Sequence, residues 1–213
     1  MTDILPGTDL RMIQREGFYH FNSDTELLGQ FLKVRHRETL LDIGCGSGAL
    51  LLYASLQKPK AMYGIDVFEE VLESARENLA YNGTEAVLIC SRVQDYRERR
   101  FDVIVANPPY FRTETEDLKN ENIFIRTARH EDALPLEELF ASVQALLEDK
   151  GRFYLVHRPQ RLNEIMQCAQ AQRMSVRTLC PVYKKQNGTI RSVLLEIVRG
   201  SHTECRITEP VYR

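Results

Sequence analysis

The feature that most constrains this chain is a glycine turn between an apolar run and a helical one. Thr39-Leu40-Leu41-Asp42-Ile43 leads into Gly44-Cys45-Gly46-Ser47-Gly48, and a helical segment begins at Ala49. A buried strand, a glycine loop and a helix in that order open folds in which parallel strands are covered on both faces. The chain beyond this turn keeps the alternation. Ala49 to Lys58 reads as helix and Ala61 to Asp66 as strand. Phe68 to Asn82 is an amphipathic helix, with Val71, Leu72, Ala75 and Leu79 on one face and Gly83 as its stop. Ala86 to Cys90, Phe101 to Ala106 and Arg152 to His157 are further apolar strands. Pro135 opens a helix running to about Leu147, Pro159 opens another, and Met174–Tyr183 with Arg191–Val198 form a hairpin around Asn187-Gly188.

Buried β runs alternating with helices predict an α/β fold. It has a seven-stranded, mostly parallel sheet, closed by a C-terminal antiparallel hairpin and flanked by helices on both faces. No linker or repeat divides the 213 residues, so a single domain is expected: an N-terminal lid or helix segment (1–38), a core (39–199) and a tail (200–213). In the first part, Ser23-Asp24-Thr25-Glu26 has the form of a capping box, with Leu27, Leu28, Phe31 and Leu32 following at helical spacing.

No run of about 18 apolar residues occurs, which excludes a membrane-spanning helix, and Met1 to Pro6 lacks the pattern of a signal peptide. The expected location is the cytoplasm. Cys45, Cys90, Cys168, Cys180 and Cys205 are scattered without metal-ligand spacing, so reduced thiols and no metal are expected. Net charge is −2, but its distribution is uneven. From Lys150 onward 12 basic residues face 4 acidic ones, +8, leaving −10 for the first 149 residues. A basic last third can meet a polyanion or be a solvated sheet edge.

The glycine loop selects a ligand. Gly44, Gly46 and Ala49 satisfy G-x-G-x-x-G/A, which permits a dinucleotide. Asp42 argues against it, because a carboxylate there opposes the positive cradle that a pyrophosphate needs. S-adenosylmethionine brings an ammonium and a sulfonium and no phosphate, so an acidic neighbour attracts it. The loop glycines Gly44, Gly46 and Gly48 would line its site. Asp66, ending the second strand, can bind both ribose hydroxyls, and Val67 can pack on the adenine. Asp95 or its neighbour Gln94 can accept from the adenine amino group. The plainer alternative is that Asp42 and Asp66 only cap helices.

The fourth strand ends in Asn107-Pro108-Pro109-Tyr110. An exocyclic amine of adenine, or a primary amide, attacks poorly because its lone pair is delocalised. Asn107 can accept one N–H through its side-chain oxygen and the Pro108 carbonyl the other, which orients the nitrogen toward a methyl donor. Tyr110 can stack on a planar target. No general base is needed before attack, and the turn offers none, so the chemistry read here is N-methyl transfer.

LDIGCGSG followed by NPPY resembles the class I, S-adenosylmethionine-dependent N6-adenine and glutamine methyltransferases. Phe18 to Leu28, Ala128-Arg129-His130-Glu131, Leu155 to Pro159 with Arg161-Leu162, and Gly188 to Glu196 are similar to segments of one branch, the bacterial tRNA1(Val) adenine-N6-methyltransferases. Glu26 stands where that branch leads one to expect a small or apolar residue. The resemblance, over residues 10 to 199, implies a class I Rossmann-like methyltransferase fold. It also implies N6-methylation of the adenosine 3′ of the anticodon, position 37, with Asn107, Pro108 and Tyr110 around the target base. The basic last third, with Arg158, Arg161, Lys184, Lys185 and Arg191, would contact tRNA phosphates. Arg112, Arg126, Arg129 and His130 would line the substrate mouth. An unpaired loop base costs little to splay into a pocket. A monomer with no obligatory protein partner is expected.

Rival readings are a glutamine N5-methyltransferase acting on a protein such as a release factor, and a methyltransferase acting on an rRNA base. A nicotinamide-linked oxidoreductase and a non-catalytic RNA-binding module are the others. Against the glutamine enzyme, only about 38 residues precede Thr39, too few for the helical domain such enzymes carry.

Overall fold

The computed structural model describes residues 2–13, 22–108, 134–185, 188–200 and 204–213. Two short antiparallel strands come first, β1 (Thr2–Ile4) and β2 (Arg11–Ile13), and then the helix α1 (Ser23–Phe31). Strand and helix next alternate as β3 (Thr39–Ile43), α2 (Ala49–Ser55), β4 (Ala61–Asp66), α3 (Glu69–Tyr81), β5 (Val87–Cys90) and β6 (Phe101–Ala106). The helix α4 (Leu136–Leu146) runs directly into β7 (Leu147–His157), and α5 (Leu162–Ala171) precedes β8 (Met174–Tyr183) and β9 (Ile190–Arg199). Two-residue strands β10 (Arg206–Ile207) and β11 (Val211–Tyr212) complete the chain.

The main sheet has the order β8-β9-β7-β6-β3-β4-β5. Neighbours from β7 to β5 pair parallel, and β9 runs antiparallel to both β7 and β8. The seven strands expected are present, and β10 and β11 raise the count to nine by pairing parallel with β8. The tail thus supplies partners to an edge that would otherwise present unpaired backbone groups. The chain winds outward from β3 in one direction through β4 and β5, then in the other through β6 and β7. The switch point therefore lies between β3 and β6, where ligands bind in such sheets.

The core has two layers, one on each face of the sheet. Phe101, Phe153, Leu155 and Leu195 pack with Phe140 of α4 and Ile165 of α5. On the other face Leu40, Val103, Tyr154 and Val156 pack with Leu28 of α1, Leu51 of α2 and Leu72 of α3. Successive residues of β7 go to opposite layers, as strand geometry requires. Gly29 lets α1 lie close on α2, because a Cβ there would sit 2.4 Å from the Tyr53 ring. Among the described residues no helix is long and apolar enough to cross a membrane. All five cysteines are free thiols.

The N-terminal segment departs from the sequence expectation. The cap of α1 is Asn22 and not Ser23. The Asn22 Oδ1 accepts from the backbone amides of Asp24 (2.9 Å) and Thr25 (3.1 Å), so Ser23 becomes the first helical residue. Asparagine caps as well as serine does, and its extended backbone sets the start. The β1–β2 pair has no counterpart in the sequence expectation. It is held to α3 by Asn78 and Asn82, whose side-chain amides bond both the N–H and the C=O of Ile13 and Arg11. The helix α2 stops at Ser55 because Lys58 takes a left-handed φ of 52°. Conversely, β7 starts five residues early, with Leu147 paired to Phe101 before a shift of register.

Candidate active site

The glycine loop leaves β3 at the switch point. Gly44, Gly46 and Gly48 have φ of +68°, +53° and +88°, conformations that strain any residue with a Cβ. The loop folds back over the end of β4: the amides of Gly44 and Cys45 both donate to the Ile65 carbonyl, at 2.8 and 3.1 Å. Asp66, which ends β4, secures the loop from the side. Its Oδ2 accepts from the Gly46 amide (3.1 Å) and its Oδ1 from the Phe68 amide (3.2 Å). Asn78 of α3 adds a bond to the Ser47 carbonyl at 3.1 Å.

Asp42 lies under this loop, 1% exposed, and among the described residues neither of its carboxylate oxygens has a hydrogen-bond partner. Burial, and then the nearby Asp66 carboxylate, push its carboxyl well above the ordinary range. Burial also raises Asp66, while the amides of Gly46, Phe68 and Val67 hold it back. Of the two helix-cap readings, Asp66 does accept the amide that precedes α3, whereas Asp42 caps nothing. A buried acid without a partner is costly, and a cation seated beside it removes the cost. A phosphate would instead meet two acids. The donor set fits an ammonium or sulfonium and opposes a pyrophosphate.

Asn107 enters from the other side. Ile43 pairs with Ala106 and with Ile65, so Gly44, Asn107 and Asp66 leave the sheet side by side. Asn107 is half-buried and Pro108 is buried. The Asn107 Nδ2 donates to Thr25 Oγ1 of α1 at 2.9 Å. Pro109 and Tyr110 lie outside the described residues, as do Arg112, Arg126, Arg129 and His130 of the polar stretch after them.

Val67 is 43% exposed beside Asp66. Gln94 and Asp95 fall in a short 3-10 turn after β5. Gln94 Nε2 donates to Glu138 Oε2 at 2.6 Å, which ties that amide to α4, whereas Asp95 is exposed. Of the basic residues expected to meet phosphates, Arg161 is held by two bonds to Glu164 (2.6 and 2.7 Å). Arg158 and Arg191 lie 3.7 Å from the buried Asp24 carboxylate, and Lys184 and Lys185 are exposed at the hairpin end.

The contribution of α1 is not legible in the motifs. Asn22, Asp24 and Thr25 lie in the Phe18–Leu28 segment of the resemblance, and Asp24 and Thr25 also in the capping box, but none of these signals assigns them a role at the site. The signal that could have found them is an asparagine directly before a helix start, which is a strong cap.

Known proteins resemble this chain in both sequence and fold. The methyltransferase small domain family matches residues 17–178. A Pedobacter heparinus protein named tRNA1(Val) (adenine(37)-N6)-methyltransferase is 30% identical over 171 residues, covering 78% of this chain and 71% of the relative. A Vibrio vulnificus protein of the same name is 28% identical over 180 residues, covering 83% and 74%. Among solved structures, a Thermus thermophilus 16S rRNA N2 G1207 methyltransferase in complex with AdoMet and guanosine superposes with a TM-score of 0.64 at 19% identity, over 94% of this chain and 50% of the other.

Proposed function

This chain belongs to the methyltransferase small domain family, and from that premise we propose that it methylates N6 of an adenosine in tRNA, the adenosine at position 37 of tRNA1(Val). The chain is an S-adenosylmethionine-dependent methyltransferase; the name borne by its relatives supports the tRNA substrate. One observation carries the reading. A buried carboxylate without a partner among the described residues, Asp42, and a neutral amide, Asn107, stand at the ends of adjacent strands at the switch point. The first asks for a cation and the second for a planar N–H donor.

Bound S-adenosylmethionine supplies an electrophilic methyl on sulfur. Asp42 neutralises the positive end of that ligand, Asp66 receives its ribose hydroxyls, and Gly44, Gly46 and Gly48 let the backbone approach it. Val67 and Asp95 meet the adenine face and amino group. At the other side Asn107 Oδ1 and the Pro108 carbonyl each accept one N–H of the target amine, and Tyr110 stacks on the base. The Asn107 Oδ1 and Pro108 carbonyl acceptors hold the amine oriented toward the methyl group that the bound cofactor supplies. Lys184 and Lys185 face the tRNA phosphates, while Arg158 and Arg191 are engaged with the buried Asp24 carboxylate. The enzyme works as a monomer in the cytoplasm.

The test is labelled S-adenosylmethionine with total tRNA from a strain lacking the protein, followed by digestion to nucleosides and mass analysis. Wild type is expected to give labelled N6-methyladenosine. Asn107→Ala should lose about a hundredfold or more in rate while binding cofactor within about tenfold. Unlabelled tRNA with cofactor binding intact would overturn the substrate, and rRNA and release factors would then be assayed in its place.

A further inference from the structure

We infer that Thr25, in the first turn of α1, is a positioning residue that sets which way the Asn107 amide faces. The inference rests on the role proposed above for Asn107. The side-chain atom of Asn22 that accepts two backbone N–H groups must be its oxygen, since the amide nitrogen only donates. Thr25 Oγ1 lies 3.4 Å from that oxygen, so the hydroxyl proton is directed to Asn22. The hydroxyl lone pairs then face Asn107, whose Nδ2 donates to them at 2.9 Å. Because the two ends of an amide point apart, an Nδ2 held by α1 turns Oδ1 away from α1 as an acceptor. The opposite orientation would set N–H donors against the N–H donors of an incoming amine.

The turn that carries Thr25 is itself anchored. Asp24 is fully buried, accepts from Ser192 Oγ at 3.0 Å, and has guanidinium nitrogens of Arg158 and Arg191 at 3.7 Å. Arg158 follows β7 and also bonds the Arg191 carbonyl at 3.3 Å, while Ser192 and Arg191 belong to β9. Strands β7 and β9 thus hold the helix start on one side, and its hydroxyl is delivered to the end of β6 on the other. Thr25 is 7% exposed, so its hydroxyl is withdrawn from bulk solvent. Thr25 then acts in the reaction through Asn107.

The experiment compares wild type, Thr25→Val and Thr25→Ser in the tRNA methylation assay, with cofactor affinity measured by calorimetry and folding by melting temperature. Thr25→Val keeps the shape and removes the acceptor. Its kcat should fall about tenfold, with KM for tRNA and cofactor affinity within about threefold of wild type. Thr25→Ser keeps the hydroxyl and should restore kcat. Should Thr25→Val fail to fold, Thr25→Ala is read by the same criteria. A folded Thr25→Val with wild-type kcat overturns the inference. A Thr25→Ser as slow as Thr25→Val also overturns it, since the methyl and not the hydroxyl would then matter. A wild type that labels no RNA sinks the reading of Asn107 and this inference together; an active wild type with an unaffected Thr25→Val sinks this inference alone.

Discussion

Asp42 carries the clearest consequence at the scale of one residue. Its carboxyl is raised by burial and by Asp66, so the folded protein holds that proton to a higher pH than the unfolded chain does. Between the ordinary value of 3.8 and the raised one, stability contributed by this group therefore falls as pH rises. A cationic ligand prefers the ionised form, so its affinity should move the other way and climb with pH over the same window. Asp42→Asn is expected to flatten both profiles and to bind S-adenosylmethionine more weakly, on the order of tenfold or more, by calorimetry across pH. A variant that keeps the wild-type affinity and slope would remove Asp42 from the cofactor site. Glu26, which the family resemblance left unexplained, has a structural reason. It is 4% exposed and pairs with Arg213 beside Tyr53, whose phenol burial and the Glu26 charge raise to about 12.

At the scale of elements, Glu196 ties three strands together. It sits on β9 directly opposite Tyr154 of β7 and Thr178 of β8. Its carboxylate accepts from Tyr154 (2.9 Å), Thr178 (2.9 Å) and Arg177 (2.7 and 3.1 Å). Burial alone would raise its pKa, but the bonds from Arg177, Thr178 and Tyr154 win and lower it from 4.5 to about 2. A lowered acid stabilises the fold fully above its unfolded value and loses that contribution as pH falls through about 2. Glu196→Gln should cost about 1–3 kcal/mol at neutral pH and show a shallower loss of stability between pH 4.5 and 2 in urea melts than wild type does. Equal acid sensitivity of the two proteins would assign the acid limb to other carboxylates.

Across the whole molecule the uneven charge of the sequence is partly settled by folding. Acids of the first 38 residues meet arginines of the last third: Glu38 with Arg152 at 2.5 Å, Asp24 with Arg158 and Arg191, Glu26 with Arg213. Arg161 and Arg177 pair within their own region, with Glu164 and Glu196. Among the described residues, six of the twelve basic residues from Lys150 onward are therefore paired with acids, a third outcome beside the polyanion face and the solvated edge. Lys184 and Lys185 remain exposed, after the end of β8 on the side where β3, β4 and β6 open. Replacing both by alanine should weaken tRNA binding and reduce the slope of log affinity against log salt by about two, with cofactor affinity unchanged. A slope that stays the same would confine these lysines to solvent.

Legibility tracked the range of the interactions. The glycine loop, the strand-end acids Asp42 and Asp66 and the NPPY turn were readable because each is a local signal. Strand patterning, the backbone freedom of glycine and a turn after a strand are all set by neighbours within a few residues. Those signals determined the α/β class, the parallel core strands and the side of the sheet proposed to carry the site. What the tertiary structure alone decided were pairings across long sequence gaps. Asn107 meets Thr25 82 residues away, Asp24 meets Ser192 168 residues away, and the tail adds β10 and β11 to the edge of β8. A side-chain amide or carboxylate takes whichever donor the fold brings within about 3 Å. Residue type restricts that partner to a class, and only the packed sheet selects which one it is.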